Sequence, residues 1–311
     1  MPSATLSSAA RRLGDALRQA AWSQWAAVGM PAAGARPARG MVDPEALVLA
    51  SVWLRETEPR LGRLLGLWAG AGARLLSTQR MRNLAREFPA DRAAGVAGFA
   101  HLALTRGKDA RWRPLAHVSA EATRTEWKGE PVAVASSEAP AALMLRLRLG
   151  VGVGIKADVL SFLAGRAGSA ETVQAVARAV GYEARAVRRA VEELAAAGFL
   201  QPRATAPATW YLPAERWEWT WGGGEPPRWC FWHQIYALGA ALDGSVVRGV
   251  AEPSPYLQSS IARDIVGRHR LAFDLNGIPL AAPAGHPGEA YLDAFQGDIE
   301  RLAERVERNF I

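Results

Sequence analysis

Ile155-Lys-Ala-Asp-Val-Leu-Ser-Phe-Leu163, Thr172-Val-Gln-Ala-Val-Ala-Arg-Ala-Val180, Gly181-Tyr-Glu-Ala-Arg-Ala-Val-Arg-Arg-Ala-Val-Glu-Glu-Leu194 and Gly198-Phe199-Leu200 read as one unit within a chain of 311 residues. Ile155, Val159, Phe162 and Leu163 fall at helical spacing and share a face, as do Val173, Val176, Ala177 and Val180. Val187, Val191 and Leu194 make a third apolar stripe. The same periodicity leaves Glu183, Arg185, Arg188, Arg189 and Glu192 outside. The spacing therefore predicts three short helices. Thr172 precedes the second apolar run, where its hydroxyl can satisfy an orphan amide as an N-cap. Gly181 follows the last apolar residue of that run. Glycine takes a left-handed backbone without a Cβ penalty, which suits a sharp helix–helix turn. Gly198 stops the third helix, and Phe199-Leu200 leads out into a strand.

This order resembles the winged helix-turn-helix of MarR- and ArsR-type transcriptional regulators. The resemblance rests on Ala177 and Gly181, then Val187-Arg188-Arg189-Ala190-Val191, Leu194 and Gly198-Phe199-Leu200, and it covers about a sixth of the chain. It implies a sequence-specific regulator of double-stranded DNA, a repressor acting as a homodimer, with the helix at 183–197 in the major groove. It places Tyr182, Glu183, Arg185, Arg188 and Arg189 at the DNA, with Lys156, Thr172 and Arg203 as further contacts. Arginine suits both tasks there, a bidentate fork for guanine and a fixed charge for phosphate.

Charge is distributed in the way such a reading needs. The formal net charge is +7 and half the residues are hydrophobic, enough for a full core. Residues 1–130 carry 19 basic and 11 acidic groups, residues 131–203 carry 9 and 6, and residues 204–311 carry 9 and 13. The basic front two-thirds attracts a polyanion and the acidic tail does not. Cys230 is the single cysteine, so an intramolecular disulfide and a cysteine-rich zinc site are excluded. The expected compartment is a reducing cytoplasm. The five histidines are scattered, none at metal-ligand spacing. No run approaches the length of a membrane span, so no membrane role is expected.

The chain divides on this reading into an N-terminal helical domain at 1–105, a linker at 106–140, the winged helix-turn-helix domain at 141–212 and a C-terminal region at 213–311. The fold class is mainly α with a small β wing. Ser7 to Trp25 is an amphipathic helix leading into the first domain. Asp43-Pro44 opens the next helix, an aspartate cap with proline at the first helical position. Another starts after Pro59 and is broken at Gly70 to Gly72. A third begins at Ser77, with Met81, Leu84, Ala85 and Phe88 inward and Gln79, Arg80, Arg82, Asn83 and Arg86 outside. Two packing helices followed by a basic one repeat the helix-turn-helix logic, so Arg80, Arg82 and Asn83 are candidate nucleic-acid contacts. A helical bundle with a solvated arginine face fits the same pattern. In the linker, Trp112 and Trp127 beside basic residues are candidates for stacking on bases. Leu143 to Leu149 alternates Leu with Arg146 and Arg148 and leaves strand and helix open.

Six of the twelve tryptophans lie between 210 and 232. Trp217, Trp219 and Trp221 alternate with polar residues and predict a strand with one all-tryptophan face. The cluster reads as an aromatic core joining the wing to a helix through Phe231, Ile235, Leu238 and Leu242, or as a ligand pocket. In the last helix Leu292, Phe295, Ile299, Leu302 and Val306 form an a/d stripe with charged flanks. That stripe fits pairing with a second copy or packing on its own domain.

No glycine-rich phosphate loop, nucleophile elbow or paired-carboxylate motif is present, so neither catalysis nor a cofactor is expected. Gly150 to Gly154 lacks the third glycine of a dinucleotide loop. A second functional reading is a protein-binding module. A winged helix followed by a larger C-terminal part resembles abortive-infection antitoxins of the AbiEi type, which repress their own operon and sit beside a nucleotidyltransferase toxin.

Overall fold

Asp43 caps α2 (Pro44–Leu54) by accepting from the Ala46 amide at 3.1 Å, with Pro44 in the first turn, where its missing N–H is not needed. The same local logic sets the other starts in the computed structural model, which describes residues 6–32, 34–91, 95–116, 138–247 and 254–309. Ser77 caps α4 (Thr78–Ala85) through the Arg80 amide, and Thr172 caps α9 (Val173–Val180) through the Ala175 amide. The chain is mainly helical. The remaining helices are α1 (Leu6–Ala27), α3 (Pro59–Gly72), α5 (Val96–Thr105), α6 (Arg113–Ala116), α7 (Leu143–Val151), α8 (Ile155–Ala164), α10 (Ala184–Ala196), α11 (Trp232–Leu242), α12 (Pro255–Asp274) and α13 (Ala290–Asn309).

A small antiparallel sheet completes the described fold. Its order is β1 (Glu171–Thr172), β3 (Thr209–Tyr211), β2 (Gln201–Arg203), with Trp210 opposite both Glu171 and Pro202. Pro202 cannot donate to a ladder, and it lies on an edge strand, where that is tolerated.

Two cores organise these elements. The first packs α1, α2, α3 and α5 with α11, α12 and α13, so it joins residues that the sequence divides between 1–105 and 213–311. Gln24 donates to the Tyr236 hydroxyl at 2.8 Å and Trp25 Nε1 to Ser51 at 2.9 Å across this core. The second core lies under α7 to α10 and the sheet, with Trp221, Trp229 and Phe231 among its members. Phe162 on α8 meets Trp229 edge-on at 5.4 Å, so this part of the aromatic segment packs as core rather than lining a pocket.

Two sequence expectations change, the break in α3 and the tryptophan strand, and three open readings resolve. Leu143 to Leu149 is helical, within α7. Gly70 to Gly72 do not break α3, which runs to Gly72, where Trp68 covers the glycine too closely for a Cβ. Trp217, Trp219 and Trp221 form no strand. The Trp217 and Trp221 amides donate to the Ala214 and Glu218 carbonyls, and the Trp219 indole donates to the Arg216 carbonyl, around two single-turn helices, Ala214–Arg216 and Glu218–Thr220. Trp221 is buried while Trp219 is 78% exposed, so no all-tryptophan face exists. The stripe of α13 is covered by α1 and α12 of the same chain, with Phe295, Ile299, Leu302 and Val306 fully buried. Each such side chain contributes roughly 1.5–3 kcal/mol of burial. Arg12 reaches across to Glu307 at 2.9 Å. Trp127 and most of the 106–140 segment lie outside the described residues, whereas Trp112 is buried against Phe99, ring centroids 5.2 Å apart, and faces no solvent on which to stack a base.

Gly181 tests the turn between α9 and α10. It sits at φ +73°, and a Cβ there would lie 2.6 Å from Leu84 Cδ2. Gly181→Ala is expected to cost about 1–2 kcal/mol in backbone strain alone, lowering the thermal midpoint. Gly14→Ala, in open space on α1, is expected to raise it by up to about 1 kcal/mol equivalent. Equal midpoints for Gly181→Ala and wild type would mean that the turn is not left-handed.

Candidate nucleic-acid interface

The apolar face of α10 places Val187, Val191 and Leu194 in the second core, fully or almost fully buried. Helical geometry then turns Arg185, Arg188 and Arg189 outward, and all three are exposed. Arg185 and Arg188 have neither an ion-pair nor a hydrogen-bond partner among the described residues. Arg189 bonds Glu193 at 3.0 Å, and Lys156 from the first turn of α8 reaches the same carboxylate at 2.8 Å. One carboxylate thus brings Lys156 and Arg189 together beside a groove of about 440 Å³ between α10 and the 151–155 turn. Glu183 stands exposed at the N-cap of α10 and makes no side-chain capping bond. Thr172 spends its hydroxyl on the α9 cap. Arg203 is exposed on β2 with its guanidinium 4.8 Å over the Tyr211 ring.

Two of the predicted contacts face inward instead. Arg80 is fully buried. Its guanidinium holds Asp43 in a bidentate pair at 2.6 Å, Glu45 at 2.6 Å, and the Val180 carbonyl through Nε at 2.7 Å. Tyr182 is also buried, its hydroxyl 3.0 Å from Asp158 and 3.1 Å from Ser77 Oγ. Neither is available to DNA, because a charged or hydroxylic group with these partners would leave several buried polar atoms unpaired if it turned out. Asn83, half-buried, donates to the Gly181 carbonyl at 3.0 Å. Of the three candidates on α4 only Arg82 remains exposed.

The inward residues belong to an ionic cluster that ties the first core to the α9–α10 turn. Arg148 bonds Glu45 at 2.7 Å and Asp158 at 2.8 Å, and also the Leu75 carbonyl at 2.8 Å. Ser77 donates its amide to Glu45 at 2.7 Å. Three carboxylates face two guanidiniums without solvent. Burial works to raise Asp43, but the charge and hydrogen bonds of Arg80 overcome it and hold the carboxyl at about 2. Burial raises Asp158 despite Arg148, as the excess of carboxylates would require. Sequence reading missed Glu45, Arg148 and Asp158. Their signal was charge within largely apolar helical runs, Glu45 alone on α2, Arg148 with Arg146 on α7 and Asp158 with Lys156 on α8, where an inward charge is stable only with a buried partner.

His233 is buried beside this cluster, Nδ1 3.8 Å from Asp43. Burial lowers its imidazole from 6.5 to about 4, with Asp43 pulling it back up and Arg80 pushing it further down. Between those values the unfolded chain takes a proton that the folded chain refuses, so stability falls as pH drops through that window. The loss amounts to about 3 kcal/mol once both values are passed. Glu87, raised by burial to about 7, contributes the opposite slope between pH 7 and 4.5. The difference between wild type and His233→Leu isolates the histidine. Urea midpoints measured from pH 7 to 4 are expected to fall less in His233→Leu, and parallel curves would mean that His233 titrates normally.

No cluster of potential metal ligands occurs among the described residues, and no helix of the chain is long and apolar enough to cross a membrane among them. The chain matches no protein-family model, no curated protein and no solved structure.

Proposed function

We propose that the chain is a sequence-specific double-stranded DNA-binding transcriptional regulator, a repressor, whose α8–α10 and sheet unit is a winged helix-turn-helix. In this reading α10 enters the major groove and β2–β3 is the wing. The observation that carries the reading is the outward face of α10, where Arg185 and Arg188 lie off the core stripe with no acidic partner among the described residues. Arg189, Lys156 and Arg203 extend the basic surface toward the α8 turn and the wing. Glu183, exposed at the start of α10, repels phosphate but can accept from a cytosine amino group, so it adds to base discrimination beside the arginines. Regulators of this kind bind two half-sites as homodimers. Since α13 spends its stripe on α1, the pairing surface of such a dimer lies elsewhere.

The test is fluorescence anisotropy with the duplex upstream of the gene and with a scrambled duplex, each titrated with salt. Preferred, salt-sensitive binding to the first supports a regulator. Weak binding that ignores both sequence and salt makes the unit a protein-docking module, the reading favoured by the exposed Trp219 and by Phe199 packed edge-on against Trp217 at 5.4 Å.

A further inference from the structure

A cleft of about 520 Å³ opens between α1, α3 and the loop that follows α1. It shares no lining residue with α10 or with the ionic cluster. Its size falls within the range of small-ligand sites, which combine apolar walls with a few convergent polar groups. Trp22 and Leu64 supply the apolar wall. Arg60 lies over the Trp22 ring at 4.9 Å and spends its charge on Glu58 at 2.8 Å. Arg36 from the loop and Arg63 from α3 line the same cleft and have no acidic or hydrogen-bond partner among the described residues. No carboxylate is among the described lining residues.

Ser23 supplies the independent sign of a ligand. It is 1% exposed, its hydroxyl has no hydrogen-bond partner, and it lines the cleft. A buried polar group without a partner is rare in folded chains and calls for one. Two unpaired guanidiniums, an indole wall and an orphan hydroxyl converge on one volume. Guanidinium forks match the oxygen geometry of phosphate and carboxylate.

We infer that this cleft binds a small organic anion, a phosphate or carboxylate headgroup held by Arg36 and Arg63 on an aromatic or apolar body that lies against Trp22 and Leu64. Ser23 donates to the ligand's polar edge. The inference does not depend on DNA binding, and its test contains no DNA.

Isothermal titration of the full chain with 1-naphthyl phosphate, 1-naphthoate, 1-naphthol and inorganic phosphate decides it. The expected result is saturable one-site binding of at least one naphthyl anion, at least about 10-fold tighter than either naphthol or inorganic phosphate. The tighter of the two anions identifies the headgroup. Arg36→Ala combined with Arg63→Ala is expected to weaken that binding about 100-fold, and Ser23→Ala several-fold, with an unchanged thermal midpoint in the absence of ligand. Both arginines are exposed, so the double variant keeps its fold. Absence of saturable binding by both anions, equal affinity in wild type and the double variant, or inorganic phosphate binding as tightly as the naphthyl anions overturns the proposal.

Discussion

Arg80→Met is expected to destabilise the folded chain by about 3–5 kcal/mol. Methionine fills much of the same volume but leaves Asp43 without its bidentate partner, takes one of two guanidiniums from Glu45, and abandons the Val180 carbonyl. The loss is large because the partners stay buried. A carboxylate without its cation in that environment must be protonated or hydrated, and both disrupt the packing around α2 and α4. Folded domains retain only about 5–15 kcal/mol in total, so the variant approaches the threshold of unfolding at room temperature. Urea denaturation followed by tryptophan fluorescence measures this directly. Tyr182→Phe, which removes one hydroxyl from Asp158 and Ser77, is expected to lose about 1–3 kcal/mol. A variant at Arg80 that unfolds at the wild-type midpoint but binds DNA poorly would place Arg80 on the surface and refute the cluster.

Arg185→Ala combined with Arg188→Ala is expected to do the reverse. Both side chains are exposed and off the buried stripe, so the urea midpoint stays within about 0.5 kcal/mol of wild type. Affinity for a specific duplex falls by about 100-fold or more, since each arginine that reads a base edge contributes roughly 1–3 kcal/mol of discrimination. Salt separates the two possible tasks. If the arginines read bases, preference over a scrambled duplex collapses. If they hold phosphates, binding weakens alike on both duplexes, and the slope of log affinity against log salt drops by about 0.9 for each lost contact. Unchanged affinity on both duplexes would sink the DNA reading and turn attention to the aromatic surface around Trp219. The two experiments form a pair, because they assign opposite phenotypes to arginines that look alike in sequence.

That contrast shows where local information ends. The capping of α2, α4 and α9 by Asp43, Ser77 and Thr172, the left-handed Gly181 and the buried stripe of α10 were all legible. Each depends on hydrogen bonds or spacing within a few residues of itself. The strand expected at Trp217 to Trp221 failed for a related reason. Alternation alone does not supply a partner strand, and short turns satisfied the Trp217 and Trp221 amides first.

What the sequence by itself determined is therefore the starts of α2, α4 and α9, the apolar stripes of α8 to α10 and α13, and the exposed arginine row on α10, because periodicity and caps are properties of contiguous residues. Only the tertiary structure decided which charged residues leave the surface. Arg80 finds Asp43 at the cap of α2, Glu45 in its first turn and, 100 positions along the chain, the carbonyl of Val180, and Arg148 finds Glu45 at a separation of 103. Likewise, the stripe of α13 is apolar in sequence whether a second copy or α1 covers it, and the fold chose α1. A buried charge is stable only when its counter-charge arrives from elsewhere, and that arrival is a fact of packing that no local pattern contains.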